Sequence, residues 1–241
     1  MPANTWTATA LASEARTWEG SGWRAVEAQH RVATMTLARG NLADQALLEQ
    51  ILETAKPRLP PAAEHLHWLL ATPFRYWPPS GGSRFRRRGD PGVFYGAEHR
   101  RTACAESAYW RLRFWMDSAG LSGRSKSVAM TLFEFHGACT TLLDLSSAPL
   151  AAQRDLWTHP CDYAATQSLA DAARTAGVAC IRYESARDLG GRCLALLTPA
   201  VFKAVAEPYR HNQQSWNMLI QPPDLVVWQR DLTRECWDFR F

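Results

Sequence analysis

The stretch of this sequence that decides its architecture is SGGSRFRRRGDPGVFYG, residues 80–96, which departs furthest from an ordinary globular pattern. Its glycines and arginines indicate an irregular loop, and Val93-Phe94-Tyr95 near its end predicts a short strand. Apolar residues then recur at helical spacing and predict a long amphipathic helix over about residues 97–118. The sequence therefore predicts a glycine–arginine loop, a strand and a helix in direct succession.

Further elements are predicted on both sides of this stretch. Residues 1–23 indicate a helix or arm, and Trp23–Val26 begins a short strand-like segment. Asn41 suits the N-cap of a helix that Pro57 stops, a second helix follows Pro60-Pro61, and residues 72–79 look extended. Strands are predicted at 128–135, 141–145, 178–182, 193–197 and 225–230, and a helix at 162–176 ends at Gly177.

Strands and helices do not alternate strictly in this pattern. The sequence therefore favours an α+β fold, a compact mixed sheet with flanking helices, over a doubly wound sheet. The length of 241 residues suits one sizeable domain. We expect a single domain over residues 1–241, with an N-terminal helical extension over about residues 1–70.

The amino-acid composition limits the classes of protein to which this chain can belong. Hydrophobic residues make up 46% and charged residues 21%, which argues against disorder, and the net charge of +4 suits an anionic small molecule or an acidic partner. A dedicated nucleic-acid binder usually has a denser basic stripe. The sequence contains neither a run of 18 apolar residues nor a standard signal peptide, so we expect a cytoplasmic protein with no membrane association.

The six cysteines show no CxxC spacing, and we interpret them as reduced core residues with no disulfide or metal site. The glycine-rich dinucleotide fingerprint, the Walker loop, HExxH and GxSxG are all absent from the sequence. The usual nucleotide and hydrolase motifs therefore do not explain residues 80–96.

Four segments taken together resemble the RES domain, which is named after Arg, Glu and Ser. In chain order they are Gly82-Ser83-Arg84-Phe85, Gly92-Val93-Phe94-Tyr95-Gly96, Ala103-Cys104-Ala105-Glu106 and Arg182-Tyr183-Glu184-Ser185-Ala186-Arg187. The segment Trp23–His30 resembles the opening of longer RES proteins, and Gly191–Leu197 resembles the closing strand. The resemblance spans about residues 20–230.

This resemblance implies a compact fold similar to that of ADP-ribosyltransferase toxins. It implies the toxin of a bacterial toxin–antitoxin system, with a cognate Xre-type antitoxin as partner and NAD as substrate, and no metal. NAD would be consumed by hydrolysis or phosphorolysis, or its ADP-ribose would pass to a cellular protein target. The sequence leaves the acceptor open, because the acceptor depends on access and surface shape.

The resemblance places the catalytic roles on Arg84, Tyr95, Glu106 and Ser185. In the family, Trp and Asn commonly follow the arginine, whereas Phe85 and Arg86 stand here, which puts the local loop geometry in doubt.

Arg84 and Tyr95 are also the first candidates for binding NAD, and Arg75 and Arg24 are further phosphate-binding candidates. Trp110, one turn after Glu106, is interpreted as a core residue.

These residue types suit the chemistry of NAD cleavage. A guanidinium can hold the diphosphate in a bidentate manner. A carboxylate can stabilise the positive charge that develops on the ribose as nicotinamide leaves. An aromatic ring such as that of Tyr95 can hold the nicotinamide or the ribose. Ser185 can donate a hydrogen bond to a phosphate or to the ribose.

Each candidate also has a structural interpretation. Arg84 could be a solvated loop residue, and Glu106 could pair with Arg111 on the helix surface. Tyr95 could be strand core, and Ser185 could cap a turn before Asp188. A third hypothesis for the whole chain is a nucleic-acid-binding module that uses residues 84–88, and it predicts salt-sensitive binding without NAD turnover.

Overall fold

The structure is a computed structural model that describes residues 6–28, 32–78, 81–203 and 212–241. Within these ranges the helices are α1 (Ala8–Glu14), α2 (Val32–Leu37), α3 (Leu42–Thr54), α4 (Trp68–Arg75), α5 (Arg100–Asp117), α6 (Arg154–Trp157) and α7 (Ala164–Thr175). The strands are β1 (Arg16–Glu27), β2 (Phe94–Ala97), β3 (Lys126–Asp144), β4 (Cys180–Glu184), β5 (Arg192–Leu196), β6 (Gln213–Gln221), β7 (Leu225–Arg230) and β8 (Cys236–Arg240). None of the helices in these ranges is long and apolar enough to span a bilayer.

The described strands form one mixed sheet in the order β1-β2-β5-β4-β3-β6-β7-β8, and β1 pairs with β3 as well. The strands β1, β2, β5, β4 and β3 therefore close on one another, and the last three strands extend from β3. The β3–β4 pair is parallel, and the pairs on either side of it are antiparallel. The expected α+β fold, a mixed sheet with flanking helices, is confirmed.

Two glycines permit this closure. Gly22 on β1 and Gly96 on β2 lie against the ring of Phe135, and a Cβ at either position would come within 2.5 Å of it. Because real Cβ atoms essentially never approach so closely, a larger residue at either position would push Phe135 out or open the β1–β2 contact. The closure holds β1 beside β2, where Trp23 pairs with Ala97.

Helix α5 lies across the sheet and buries a face of small side chains. Cys104, Ala105 and Ala108 are fully buried, and they allow the helix backbone to come close to the strands. A separate apolar cluster, which includes Phe94, Phe133, Phe135 and Phe202, fills the space around the closed strands. The helix that carries Glu106 is thus fixed directly over β1 and β2.

Several sequence predictions are confirmed. Helix α3 begins at Asn41, whose side-chain oxygen accepts the N–H groups of Ala43 and Asp44. Helix α7 is followed by Gly177 in the left-handed region, at a φ of +71°. Strand β2 and helix α5 follow the glycine–arginine loop as predicted, and β7 has its predicted bounds.

Other predictions of secondary structure are wrong. The two strands predicted at 128–135 and 141–145 form the single strand β3, because β1 pairs with it from Met130 to Leu142, with one irregularity between Cys139 and Leu142. Residues 72–75 are the last turn of α4 rather than extended chain, because burial of Leu70 and Phe74 outweighs the cost of Pro73 inside the helix. The strands β6 and β8 were not predicted.

The N-terminal region differs from the expected helical extension over about residues 1–70. Residues 16–22 continue strand β1 in front of the predicted strand-like segment, and the whole of β1 belongs to the main sheet. Pairing with β3 accounts for this strand, since residues 16–22 carry only weak periodicity of their own. Residues 1–5 and 29–31, including Gln29 and His30 of the opening segment, lie outside the described residues.

All six cysteines are free. The interpretation as core residues is confirmed for Cys104, Cys180 and Cys193, which are buried. It is wrong for Cys161 and Cys236, which are exposed in the loop before α7 and on the outermost strand β8.

Candidate active site

A cleft of about 250 Å³ opens between α5 and the edges of β1 and β2. Residues from seven separate segments line it. The side chains that bear on its chemistry are Trp23, Arg24, Ser83, Arg84, Tyr95, Glu106, Trp110 and Tyr163. Three of the four predicted catalytic residues therefore share one cavity.

Arg84 is presented by a tight turn in the glycine–arginine loop. Ser83 and Arg86 exchange backbone hydrogen bonds of 2.8 and 3.1 Å, which leaves Arg84 and Phe85 at the tip. The Arg84 side chain is buried, donates from Nη1 to the carbonyl oxygen of Trp157 at 2.7 Å, and stacks its guanidinium 4.8 Å from the ring centre of Tyr163. The interpretation of Arg84 as a solvated loop residue is therefore wrong.

Arg24 enters the cleft from strand β1. Its Nη1 donates to the carbonyl oxygen of Tyr95 at 2.5 Å, and its guanidinium lies 4.8 Å from the ring centre of Phe94. Its Nε is buried without a hydrogen-bond partner, and no carboxylate of the described residues forms an ion pair with it. Burial lowers the pKa of Arg24 to about 10, so the side chain is still a cation at neutral pH.

Tyr95 fastens the loop to strand β2. Its hydroxyl lies 2.8 Å from Ser83 Oγ and accepts the backbone N–H of Phe85 at 3.0 Å. Burial raises the pKa of Tyr95, so the phenol is neutral at physiological pH. Tyr95 is thus both a wall of the cleft and the anchor of the turn that presents Arg84.

Glu106 faces the cleft from α5. Its Oε1 accepts a hydrogen bond of 2.5 Å from Ser185 Oγ, and Cys193 Sγ lies 3.8 Å from the same atom. The alternative pairing of Glu106 with Arg111 does not occur, because Arg111 donates to Glu27. The carboxylate is therefore oriented by neutral donors, and it is the acid that faces the cavity.

Ser185 lies behind Glu106 and does not line the cleft. Its Oγ accepts the backbone N–H groups of Arg187 at 3.0 Å and Asp188 at 3.1 Å, and its side chain is buried. The hydroxyl proton is thus directed to Glu106. Ser185 therefore caps a turn, as its structural interpretation predicts, and it also contacts the candidate catalytic residue Glu106.

The structure does not bring Arg75 to this site. Its Nη1 donates to Glu53 at 2.7 Å, its Nε donates to the carbonyl oxygen of Pro57, and it lines a separate surface depression. Arg75 is therefore not among the residues that can contact a ligand in the cleft.

Trp110 corrects a second expectation. The sequence predicts a core residue, but Trp110 is 48% exposed and lines the cleft one turn after Glu106. Helical spacing already places the two residues on one face of α5. Tyr163, at the start of α7, was also missed, and no sequence signal separates it from an ordinary loop tyrosine.

Two cations and one carboxylate in a single aromatic-walled cleft suit a ligand that carries both signs of charge. Among the described residues, no three His, Cys, Asp or Glu side chains come together as metal ligands would. The polar groups that face the cavity are guanidinium, phenol and hydroxyl donors and the carboxylate acceptor of Glu106.

Comparison with known proteins assigns the chain to a family. The family model described as the RES domain matches residues 56–221, a range that includes Arg84, Tyr95, Glu106 and Ser185. This chain therefore belongs to the RES domain family. Arg24 lies outside the matched range.

A search of curated proteins finds no match. Among solved structures, the chain is similar to one described as the crystal structure of the M. tuberculosis MbcT–MbcA toxin–antitoxin complex. The identity is 12%, the TM-score is 0.45, and the alignment covers 88% of this chain and 92% of that chain.

Proposed function

We propose that this protein cleaves the bond between nicotinamide and ribose in NAD and passes the ADP-ribose to water or phosphate. We further propose that it is the toxin of a bacterial toxin–antitoxin system and has an Xre-type antitoxin as its partner. One observation carries the enzymatic proposal: Arg24, Arg84 and Glu106, from distant parts of the chain, face a single cleft.

The two arginines suit the diphosphate of NAD. Arg24 is a partly buried cation without a carboxylate partner among the described residues, and its Nε has no acceptor. Such a group gains much from an anionic ligand, because charge-assisted hydrogen bonds are about twice as strong as neutral ones. Arg84 uses one donor on Trp157 and has others to offer.

Glu106 suits the reacting end of the substrate. When the glycosidic bond breaks, its electron pair stays on the ring nitrogen, and positive charge develops at the ribose C1′. The Glu106 carboxylate, held by Ser185, stabilises this charge. An oxygen of water or phosphate then bonds to C1′, and an attacking water loses its proton to solvent or to Glu106.

Release of nicotinamide from NAD by the purified protein tests the proposal. We expect Glu106→Gln and Arg84→Ala each to lower kcat/KM by about 100- to 1,000-fold, the usual effect of removing one well-aimed polar group from a transition state. Glu64→Gln, an exposed acid, and Arg75→Ala, which lies outside the cleft, are the matched controls and should retain full activity.

Wild-type protein that releases no nicotinamide would contradict the proposal, and so would full activity in the Glu106→Gln variant. Thermal unfolding of each variant shows whether a loss of activity reflects a loss of fold.

The acceptor is identified by the product. ADP-ribose formed in phosphate-free buffer indicates hydrolysis, and a phosphorylated ADP-ribose formed only with added phosphate indicates phosphorolysis. ADP-ribose found on cellular proteins, without a free product, would instead support the protein ADP-ribosyltransferase alternative.

Membership of the RES family supports the toxin proposal. The proposed cleavage of NAD supports it as well, because a cell that loses its NAD cannot grow. In cells, we expect expression of the wild-type protein, but not of Glu106→Gln, to arrest growth. Co-expression of an Xre-type antitoxin should relieve the arrest. Growth at the normal rate, despite abundant folded wild-type protein, would contradict the toxin role.

A further inference from the structure

Trp110 is an exposed indole in the wall of the candidate active site. It lies one turn after Glu106 on α5, and its side chain is 48% exposed. Its ring packs edge-on against Tyr109 at 5.4 Å and tilts toward Tyr163 at 6.3 Å between ring centres. The indole therefore presents an aromatic face at the mouth of the cleft, where a ligand can cover it.

Other aromatic rings of the cleft already carry a cation. The guanidinium of Arg100 lies 5.8 Å from the ring centre of Trp23, and that of Arg84 lies 4.8 Å from Tyr163. In the part of the chain that the structure describes, no Arg or Lys side chain stacks on Trp110. Trp110 is thus the cleft tryptophan whose ring is open to a cation from outside the chain.

We infer that Trp110 binds the positively charged nicotinamide ring of NAD by stacking, an inference that rests on the proposed function. The charges in the cleft favour one orientation of the substrate. Arg24 and Arg84 attract the diphosphate and repel a cationic ring, whereas Glu106 and the indole attract that ring. The nicotinamide is also the ring attached to the scissile carbon, and the scissile carbon must lie beside Glu106.

Two consequences follow from this placement. Trp110 favours the oxidised, cationic ring of NAD over the reduced ring of NADH, because only the oxidised ring is a planar aromatic cation. The exposed position of the indole also lets the released nicotinamide leave directly to solvent, while the arginines retain the ADP-ribose.

The test compares Trp110→Ala and Trp110→Phe with the wild type in steady-state nicotinamide release. We expect Trp110→Ala to raise the KM for NAD and the inhibition constant for 1-methylnicotinamide, whose ring is a cation as in NAD, by about 2- to 30-fold, the range for loss of one cation–π contact. The inhibition constant for ADP-ribose should stay unchanged, and the preference for NAD over NADH as a ligand should shrink. Trp110→Phe should recover much of the loss, because it keeps an aromatic face.

Phe114→Ala is the matched control. Phe114 is an exposed aromatic residue one turn further along α5, 60% exposed, and it does not line the cleft. Its removal should leave all of these constants unchanged. Thermal unfolding of both alanine variants should stay close to that of the wild type, since about half or more of each residue is exposed.

Two results would overturn the inference. Unchanged constants in a folded Trp110→Ala protein would show that the indole does not contact the substrate. A raised inhibition constant for ADP-ribose, with that for 1-methylnicotinamide unchanged, would place Trp110 at the adenine end instead. A wild-type protein that releases no nicotinamide would reject the proposed function itself, and this inference with it.

Discussion

Removal of the Ser185 hydroxyl tests how the candidate active site is built. In the Ser185→Ala variant, Glu106 loses its 2.5 Å hydrogen bond, and the N–H groups of Arg187 and Asp188 lose their shared acceptor. Because Ser185 does not line the cleft, the substitution removes no contact with the substrate. A loss of activity therefore acts through the position of Glu106 or of the turn at residues 185–188.

The expected magnitude follows from these contacts. A hydrogen bond to a charged group contributes about 1.5–3 kcal/mol, and 1.36 kcal/mol corresponds to a factor of ten. We therefore expect kcat/KM for nicotinamide release to fall about 10- to 100-fold. Loss of a capping hydroxyl costs about 1 kcal/mol of stability, which lowers the Tm of a domain of this size by about 2–4 °C.

The assay measures kcat and KM separately. A positioning role predicts a lower kcat with little change in the KM for NAD. Ser185→Thr, which keeps a hydroxyl, should restore part of the activity. Ser13→Ala removes a hydroxyl on the exposed helix α1, far along the chain from the cleft, and should change neither constant.

Two outcomes would refute this reasoning. The first is full activity in a folded Ser185→Ala protein, which would mean that Glu106 needs no support from this hydroxyl. The second is a rise in KM without a change in kcat, which would mean that Ser185 contacts the substrate.

Two further predictions concern stability. Burial raises the pKa of Asp144, but hydrogen bonds from Arg182 and two serines outweigh this effect, so the pKa in the folded state lies below its ordinary value. The ionised carboxylate therefore stabilises the fold above about pH 4. This contribution is lost as the pH falls further. Asp144→Ala should lower the free energy of unfolding by about 3–5 kcal/mol at pH 7, with a smaller difference near pH 3, and equal thermal stability of the two proteins at pH 7 would contradict the role of this buried pair. Gly92→Ala would place a Cβ 2.3 Å from the backbone of Phe74, so it should lower the free energy of unfolding by about 1–3 kcal/mol. Gly89→Ala, which has open space around it, should unfold at the wild-type temperature. A Gly92→Ala protein as stable as the wild type would show that the loop can shift away from α4.

The sequence predicted the part of the fold around residues 80–118 well, because its signals there are local. Glycines and arginines mark the loop, Val93–Tyr95 marks the strand, and helical spacing marks α5. The chain order of Arg84, Tyr95 and Glu106 also indicated a common site, and the structure places all three around one cleft.

The features that the sequence could not predict depend on distant contacts. Residues 16–22 form a strand because β3 lies beside them, and no local pattern reveals that pairing. Arg24 is unusual because no carboxylate of the described residues forms an ion pair with it and its buried Nε has no hydrogen-bond partner, properties of the folded chain rather than of its neighbours in sequence. Trp110 looked like core because apolar residues at helical spacing usually are, but the open cleft leaves its ring exposed.

The sequence does not show which of the candidate arginines can contact a ligand in the cleft. Arg24 and Arg75 were equal candidates in sequence terms. The structure separates them, since Arg75 is held by Glu53 and Pro57 away from the cleft, whereas Arg24 lies against Tyr95 inside it. The sequence could separate the two arginines only if it revealed that β1, which carries Arg24, pairs with β2.

The most direct test of the central claim is a crystal structure of the Glu106→Gln protein with NAD bound. The account predicts that the diphosphate lies within hydrogen-bond distance of the guanidinium groups of Arg24 and Arg84, with the nicotinamide ribose against residue 106. NAD bound at another surface, or bound in the cleft with its diphosphate turned away from both arginines, would contradict it.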